Sequence, residues 1–276
     1  MVSALVRAMQ AMQQNCVLLA PTGRAAKVMS HYAGVNAFTI HKWIYRGTNA
    51  TSGELGAFAL ADNRTQHTLF IVDEASMISA DRDNPTFGSG SLLDDLIRFV
   101  FACPVGQTQS TNALLLVGDD AQLPPVGHTD SPALDEDFLC GYGLTIQSAT
   151  LTEVARQALD SGILKNATRI RTGADADLTL TAEPDVHLLS SQDFAEAIER
   201  AYAEVGVAET VILTRSNRRT NLYNQGIRAQ ILFYEDILTS GDRLMISRNN
   251  YFWTQEYDNL PFLANGDTVE VLRLRN

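Results

Sequence analysis

Asp73 and Glu74 stand side by side directly after the apolar run Thr68-Leu69-Phe70-Ile71-Val72. Gln122 lies in the stretch Gly118-Asp119-Asp120-Ala121-Gln122-Leu123-Pro124-Pro125-Val126-Gly127, which leaves a second apolar run, Ala113-Leu114-Leu115-Leu116-Val117. A carboxylate fixed at the end of a strand can hold Mg²⁺, directly or through water, and a second one beside it can orient and deprotonate a water that attacks a γ-phosphate. A glutamine amide both donates and accepts, so on a loop stiffened by Pro124 and Pro125 it can sense whether that phosphate is present. Each stretch has a plainer reading, an acidic strand-to-loop transition in one case and a proline-rich turn in the other. A turn alone does not explain the whole Gly-Asp-x-x-Gln-Leu-Pro-Pro-Val-Gly run, nor the occurrence of both stretches in this order. The sequence contains no G-x-x-x-x-G-K-[ST] loop, whose lysine and backbone N–H groups neutralise most of a triphosphate's charge.

Such residues need a scaffold that presents the ends of strands. Val2, Leu5, Val6, Met9 and Met12 recur at helical spacing, and Cys16-Val17-Leu18-Leu19-Ala20 is a short apolar strand stopped by Pro21. Apolar runs at 68–72, 113–117 and 211–213 each end abruptly in polar residues. Helical patterns, Leu92/Leu93/Leu96/Val100 and Phe194/Ile198/Ala201/Val205, separate them. This order predicts an α/β fold, a parallel sheet covered by helices on both faces. Ligands of such sheets sit beyond the carboxyl ends of the strands, where the notable polar residues lie. Residues 47–66, rich in Gly, Ser, Thr and Asn, read as a turn-rich excursion of modest β character.

A chain of 276 residues with 45% hydrophobic content predicts packed cores and about two domains, at ~100–200 residues each. Its apolar runs fall short of the ~18 residues of a membrane span, and the N-terminus lacks the order of a secretory signal. A soluble, cytoplasmic protein with no membrane partner is expected. Cys16, Cys103 and Cys140 have neither C-x-x-C nor zinc spacing and read as reduced thiols. The net charge of −11 is unevenly spread: residues 1–53 hold Arg7, Arg24, Lys27, Lys42 and Arg46 and no acid. A second basic cluster comprises Arg215, Arg218, Arg219 and Arg228. Locally basic surface is common on acidic proteins, so this pattern permits nucleic-acid binding and does not require it.

Taken together, the motifs resemble those of RecD-like superfamily 1B DNA helicases. Ala20-Pro21-Thr22-Gly23-Arg24-Ala25-Ala26-Lys27 is similar to motif Ia, and Thr39-Ile40-His41-Lys42-Trp43 to the Thr-Ile-His element after it. Ile71-Val72-Asp73-Glu74-Ala75-Ser76 is similar to motif II, residues 118–127 to motif III, and Leu151-Thr152-Glu153-Val154-Ala155-Arg156-Gln157 to motif IV. Residues 214–228, Gly241-Asp242-Arg243-Leu244-Met245, Asn249-Asn250-Tyr251 and Asn265-Gly266-Asp267 resemble the family's second motor domain.

The resemblance implies two RecA-like P-loop NTPase motor domains with parallel sheets, 1–147 and 148–276, and a small hairpin insertion at 47–67 that splits the duplex, with Phe58 near its tip. An inserted β-barrel would open near 265–276. ATP and Mg²⁺ are the implied cofactors, with Asp73 for the metal, Glu74 for the hydrolytic water, and Gln122 and Arg156 for the γ-phosphate. Pro21, Thr22, Gly23, Arg24, Thr39 and His41 would grip single-stranded DNA through its phosphates. Trp43 and Tyr45 read equally as base-stacking or as core residues. The implied partners are single-stranded DNA, duplex junctions and proteins of a recombination, repair or conjugation complex.

The missing phosphate loop is expected directly upstream of residue 1, and further motifs after residue 276. The chain is thus expected to be a fragment that is inactive alone, in a parent ATP-dependent helicase. The alternative is a catalytically dead motor-fold module for DNA binding or regulation. A true start at Met1 would let Ser3 cap the first helix.

Overall fold

A computed structural model describes residues 1–47, 58–82, 87–103, 109–154, 161–173, 179–247, 263 and 265–274. Close contacts divide the chain into two units, Met1–Ala149 with Arg243–Val269, and Thr150–Asp242 with Glu270–Asn276.

In the first unit the order is α1 (Val2–Ala11), β1 (Asn15–Ala20), α2 (Gly23–Ala33), β2 (Ala37–Thr39), α3 (Ile40–Ile44), β3 (Tyr45–Gly47), β4 (Phe58–Leu60), β5 (Thr68–Val72), α4 (Leu92–Val100), β6 (Ala113–Leu116) and α5 (Glu136–Cys140). Strands β2, β1, β5 and β6 form one sheet in that order, and every pairing is parallel. The α/β class and the parallel sheet follow the sequence expectation.

Side chains alternate between the two faces of the sheet, as period-2 geometry requires. Leu18, Ala20 and Ile71 meet Val6 of α1 and Ala26 and Met29 of α2 on one face. Leu19, Phe70 and Val72 meet Ile40 and Ile44 of α3 and Leu93, Leu96 and Val100 of α4 on the other. Burying these side chains stabilises the unit by roughly 1.5–3 kcal/mol for each large one. At the amino end of the sheet, buried Asn112 accepts from the Thr68 N–H (3.1 Å) and donates to the Thr65 and Val100 carbonyls (3.0 Å each).

The helix caps have identifiable causes. Ser91 accepts from the Asp94 N–H at the start of α4, and Gly34 ends α2 in the left-handed conformation, φ 70°. Helix α1 begins without a side-chain cap. Ser3 lies within it and donates to the Tyr32 carbonyl (2.8 Å), so it ties α1 to α2 and is not the cap the sequence suggested.

Strands β3 and β4 pair antiparallel, with Gly47 opposite Phe58. The residues joining them, 48–57, fall outside the described residues.

The second unit holds α6 (Gly162–Thr172), α7 (Phe194–Glu204) and α8 (Asn217–Gln230). Ser161 and Ser216 cap α6 and α8, and a Phe194–Tyr223 ring contact (5.4 Å) joins α7 to α8. The buried strand expected at 211–213 is not formed: Val211 is 79% and Leu213 89% exposed. An apolar run becomes a strand only where a neighbour pairs with it, and among the described residues between 150 and 242 there is none. The second parallel sheet implied by the sequence is therefore not seen among the described residues. Short strands β7 (Arg243–Met245) and β8 (Thr268–Glu270) pair with each other.

Candidate functional site

Because all four strands run parallel, their carboxyl ends share one edge of the sheet. Strand β5 ends at Val72, and the Asp73 N–H extends its pairing by donating to the Leu19 carbonyl (3.0 Å). Asp73 then accepts the Glu74 N–H on Oδ1 (3.0 Å). Glu74 takes φ 55° and ψ 38°, a left-handed conformation uncommon for a residue with a Cβ, and turns the chain into a 3-10 turn at Ala75–Met77. The Ala75 N–H returns to the Val117 carbonyl (2.9 Å), while the Val117 N–H donates to Val72 (2.8 Å). The two carboxylates and the loop after β6 thus hang from one continuous hydrogen-bond ladder.

Close packing shapes that loop. A Cβ on Gly118 would lie 2.9 Å from Leu134 Cδ1 and 3.0 Å from the Ser76 nitrogen, so the two loops can approach only with glycine there. Asp119 forms an Asx turn, accepting the Ala121 N–H on its side chain (3.1 Å) and the Gln122 N–H on its carbonyl (3.1 Å). This leaves the Gln122 side chain exposed, with its Nε2 3.5 Å from Asp119 Oδ2. Two further contacts join the loops: Ser131 Oγ donates to the Ser76 carbonyl (3.0 Å), and His128 Nε2 lies 2.6 Å from Asp81 Oδ2. Asp73, Glu74 and Gln122 are therefore presented at the same end of adjacent strands. Arg156 lies outside the described residues.

The donor set suits a Mg²⁺ ion carried by a nucleotide better than a metal held by protein alone. Among the described residues there is no group of three or more His, Cys, Asp or Glu able to enclose a metal ion. Mg²⁺ usually keeps several waters and takes one or two carboxylates plus phosphate oxygens, which Asp73 can satisfy. The Ser76 hydroxyl, two residues beyond Glu74, is buried with no partner among the described residues.

The residues read as DNA-gripping follow β1 and β2 at the same edge. Thr22 accepts the Ala25 N–H (3.2 Å) and caps α2, and Thr39, buried, accepts the Lys42 N–H (3.2 Å) and caps α3. Their hydroxyls are thereby fixed at helix starts whose amides point out of the sheet edge. Pro21 stops β1, Gly23 is buried at the start of α2, and Arg24 is exposed, its guanidinium donating to the Gly266 carbonyl (3.3 Å). His41 sits between the rings of Tyr45 (5.7 Å) and Phe87 (5.0 Å), and burial holds its imidazole below the ordinary value. It is neutral at pH 7, able to hydrogen-bond but not to offer charge.

Tyr45 and Trp43 resolve as packing residues. Tyr45 is 4% exposed, and Trp43 packs against Phe38 (5.0 Å). Phe58 stacks on Phe87 (4.7 Å), tying β4 to the body of the unit.

Sequence reading missed the buried Asp95, which accepts from the Tyr45 hydroxyl (2.7 Å) and the Ser89 N–H (2.9 Å). It also missed the His128–Asp81 and Ser131–Ser76 links. Asp95 stands among apolar helix positions in the sequence, and that was the available signal. Two shallow cavities, about 390 and 470 Å³, open beside β3 and β4, and neither is lined by Asp73, Glu74 or Gln122.

Residues 1–128 match the AAA domain family. The fold of the chain is similar to a solved structure of two coordinating Pif1 helicases unwinding forked double-stranded DNA, with TM-score 0.50 and 17% identity over 99% of this chain. A Bacteroides Pif1 structure in complex with ADP-AlF4 matches with TM-score 0.45 and 18% identity over 100% of this chain. The chain spans 65% and 64% of the lengths of those two proteins. The resemblance to RecD-like superfamily 1B helicases, drawn from the motifs, is supported by the family match and by the fold.

Proposed function

We propose, proceeding from that resemblance, that the chain is part of an ATP-dependent DNA helicase of RecD-like or Pif1-like type, in which ATP hydrolysis drives movement along single-stranded DNA and duplex unwinding. The observation that carries this reading is the joint placement of Asp73, Glu74 and Gln122 on two mutually hydrogen-bonded loops at the carboxyl ends of β5 and β6. Asp73 would hold Mg²⁺, which neutralises charge on the phosphates and draws them into position. Glu74 orients the attacking water and accepts its proton, and the Gln122 amide contacts the γ-phosphate. Because Gln122 shares a ladder with Glu74, loss of the phosphate contact is transmitted to the catalytic loop. Arg156, on a segment similar to motif IV, adds a guanidinium to the γ-phosphate in this reading.

DNA phosphates would lie along the same edge, against the amides and hydroxyls at the starts of α2 and α3. Thr22, Thr39 and the backbone at Pro21 and Gly23 supply neutral contacts, His41 an N–H, and Arg24 the charge. Such contacts fix the register of a strand without reading its sequence. The β3–β4 pair, with residues 48–57 between its strands, takes the place of the strand-splitting hairpin.

No segment of the chain replaces the missing phosphate loop, so ATP turnover belongs to a longer protein that carries one. The test is ATPase activity of such a protein with and without single-stranded DNA. DNA should stimulate turnover, and Glu74→Gln should lower it by roughly 10²–10⁴-fold while nucleotide binding persists. Turnover indifferent to both DNA and Glu74→Gln would refute the reading.

A further inference from the structure

The turn Asn265-Gly266-Asp267 lies on the basic side of α2. Lys27 forms an ion pair with Asp267, and Arg24 donates to the Gly266 carbonyl (3.3 Å). Gly266 takes φ 88°, a conformation that favours glycine, and a Cβ there would stand 3.7 Å from Arg24 Cδ. Arg24 and Lys27 are three residues apart on one helix and so share a face. Residues 1–53 contain no acid, so the carboxylate facing this pair comes from 240 positions further along the chain. Both partners of the ion pair remain partly open to solvent, 28% and 20% exposed, and a competing anion can reach them.

We propose that Lys27 is a further contact for a DNA phosphate, and that the Asp267 carboxylate is the internal anion which that phosphate displaces. This rests on the reading of Pro21, Thr22, Gly23 and Arg24 as a phosphate-gripping edge and extends it by one turn of α2. A phosphodiester and a carboxylate offer Lys27 the same chemistry, a singly charged oxygen acceptor, and they exclude one another at its ammonium group. The turn thereby keeps the basic face of α2 neutral and ordered when no strand is present. Arg24 is released from the Gly266 carbonyl at the same time, so the two cations become available together.

The experiment measures binding of a fluorescent oligo-dT strand to the chain over a range of salt concentrations, with circular dichroism checking that each variant is folded. Asp267→Asn should tighten binding roughly three-fold or more and steepen the slope of log K against log salt by about 0.7, the value for one additional phosphate contact on a single strand. Lys27→Gln added to Asp267→Asn should remove both gains. If the unmodified chain binds and Arg24→Ala weakens it, but Asp267→Asn changes neither affinity nor salt slope, the displaced-anion proposal fails and the DNA-binding edge stands. If neither the unmodified chain nor Asp267→Asn binds the strand, both readings fall.

Discussion

Tyr45 and Tyr142 show how single buried groups can report on the integrity of the first unit. Burial, a hydrogen bond to Asp95 and that residue's charge all push the Tyr45 hydroxyl well above its ordinary value. Burial and the bond to Asp94 push Tyr142 up to about 12. Both groups hold their protons more tightly when folded, so their contribution is complete below about pH 10 and falls as pH rises. For Tyr142 the fall ends near pH 12. The expected outcome is an unfolding free energy that declines above pH 10, measured by urea titration, with a shallower decline in Tyr45→Phe and in Tyr142→Phe. A decline of the same steepness in both variants would remove these tyrosines from the alkaline response. His41 acts at the other end of the scale. Its value is lowered by burial, so the stability it contributes is present above about pH 6.5 and is lost as pH falls through its folded value.

Among the elements, the paired loops after β5 and β6 depend on the absence of one methyl group. Gly118→Ala would set a Cβ against backbone at Ser76 and against Leu134, forcing the loops apart. The expected cost is about 1–3 kcal/mol, read as a lower midpoint in urea, with a loss of DNA-stimulated turnover in the longer protein that exceeds the loss of stability. An unchanged midpoint would show that the loops can separate freely. The sequence revealed β1, β5 and β6 to within a residue, because short apolar runs ending in polar residues leave few alternatives for a buried parallel strand. It also located Asp73, Glu74 and Gln122 at their ends. It could not reveal the bonds between the loops, since Ser131 and Ser76 meet across 55 positions. It misplaced a strand at 211–213, where the apolar pattern was present and the pairing partner was not.

For the whole molecule, the chemistry of the sheet edge outruns the means of holding a nucleotide. A triphosphate at Asp73 and Gln122 would meet one carboxylate intended for Mg²⁺ and one neutral amide, without a lysine on a glycine-rich loop. The 276-residue chain is therefore expected to bind ATP weakly and to show no ATP turnover above a Glu74→Gln control, measured by phosphate release with excess oligo-dT. Turnover that Glu74→Gln abolishes would show that another segment supplies the phosphate clamp. Among the described residues no helix is long and apolar enough to cross a membrane. Charge separation also acts at this scale: a molecule of net charge −11 repels DNA at a distance, so its basic sheet edge must attract a strand over a path shorter than the ~10 Å screening length at 0.1 M salt.

The left-handed backbone at Glu74 has a consequence for evolvability. The site asks one position for two incompatible things, a carboxylate for chemistry and a conformation that glycine adopts at least cost. Glu74→Gly should abolish turnover in the longer protein yet raise the first unit's stability by up to ~1 kcal/mol, visible as a higher Tm of the mutant chain. Selection for robustness alone would thus drift toward an inert protein at this residue, and only a demand for catalysis holds glutamate in place.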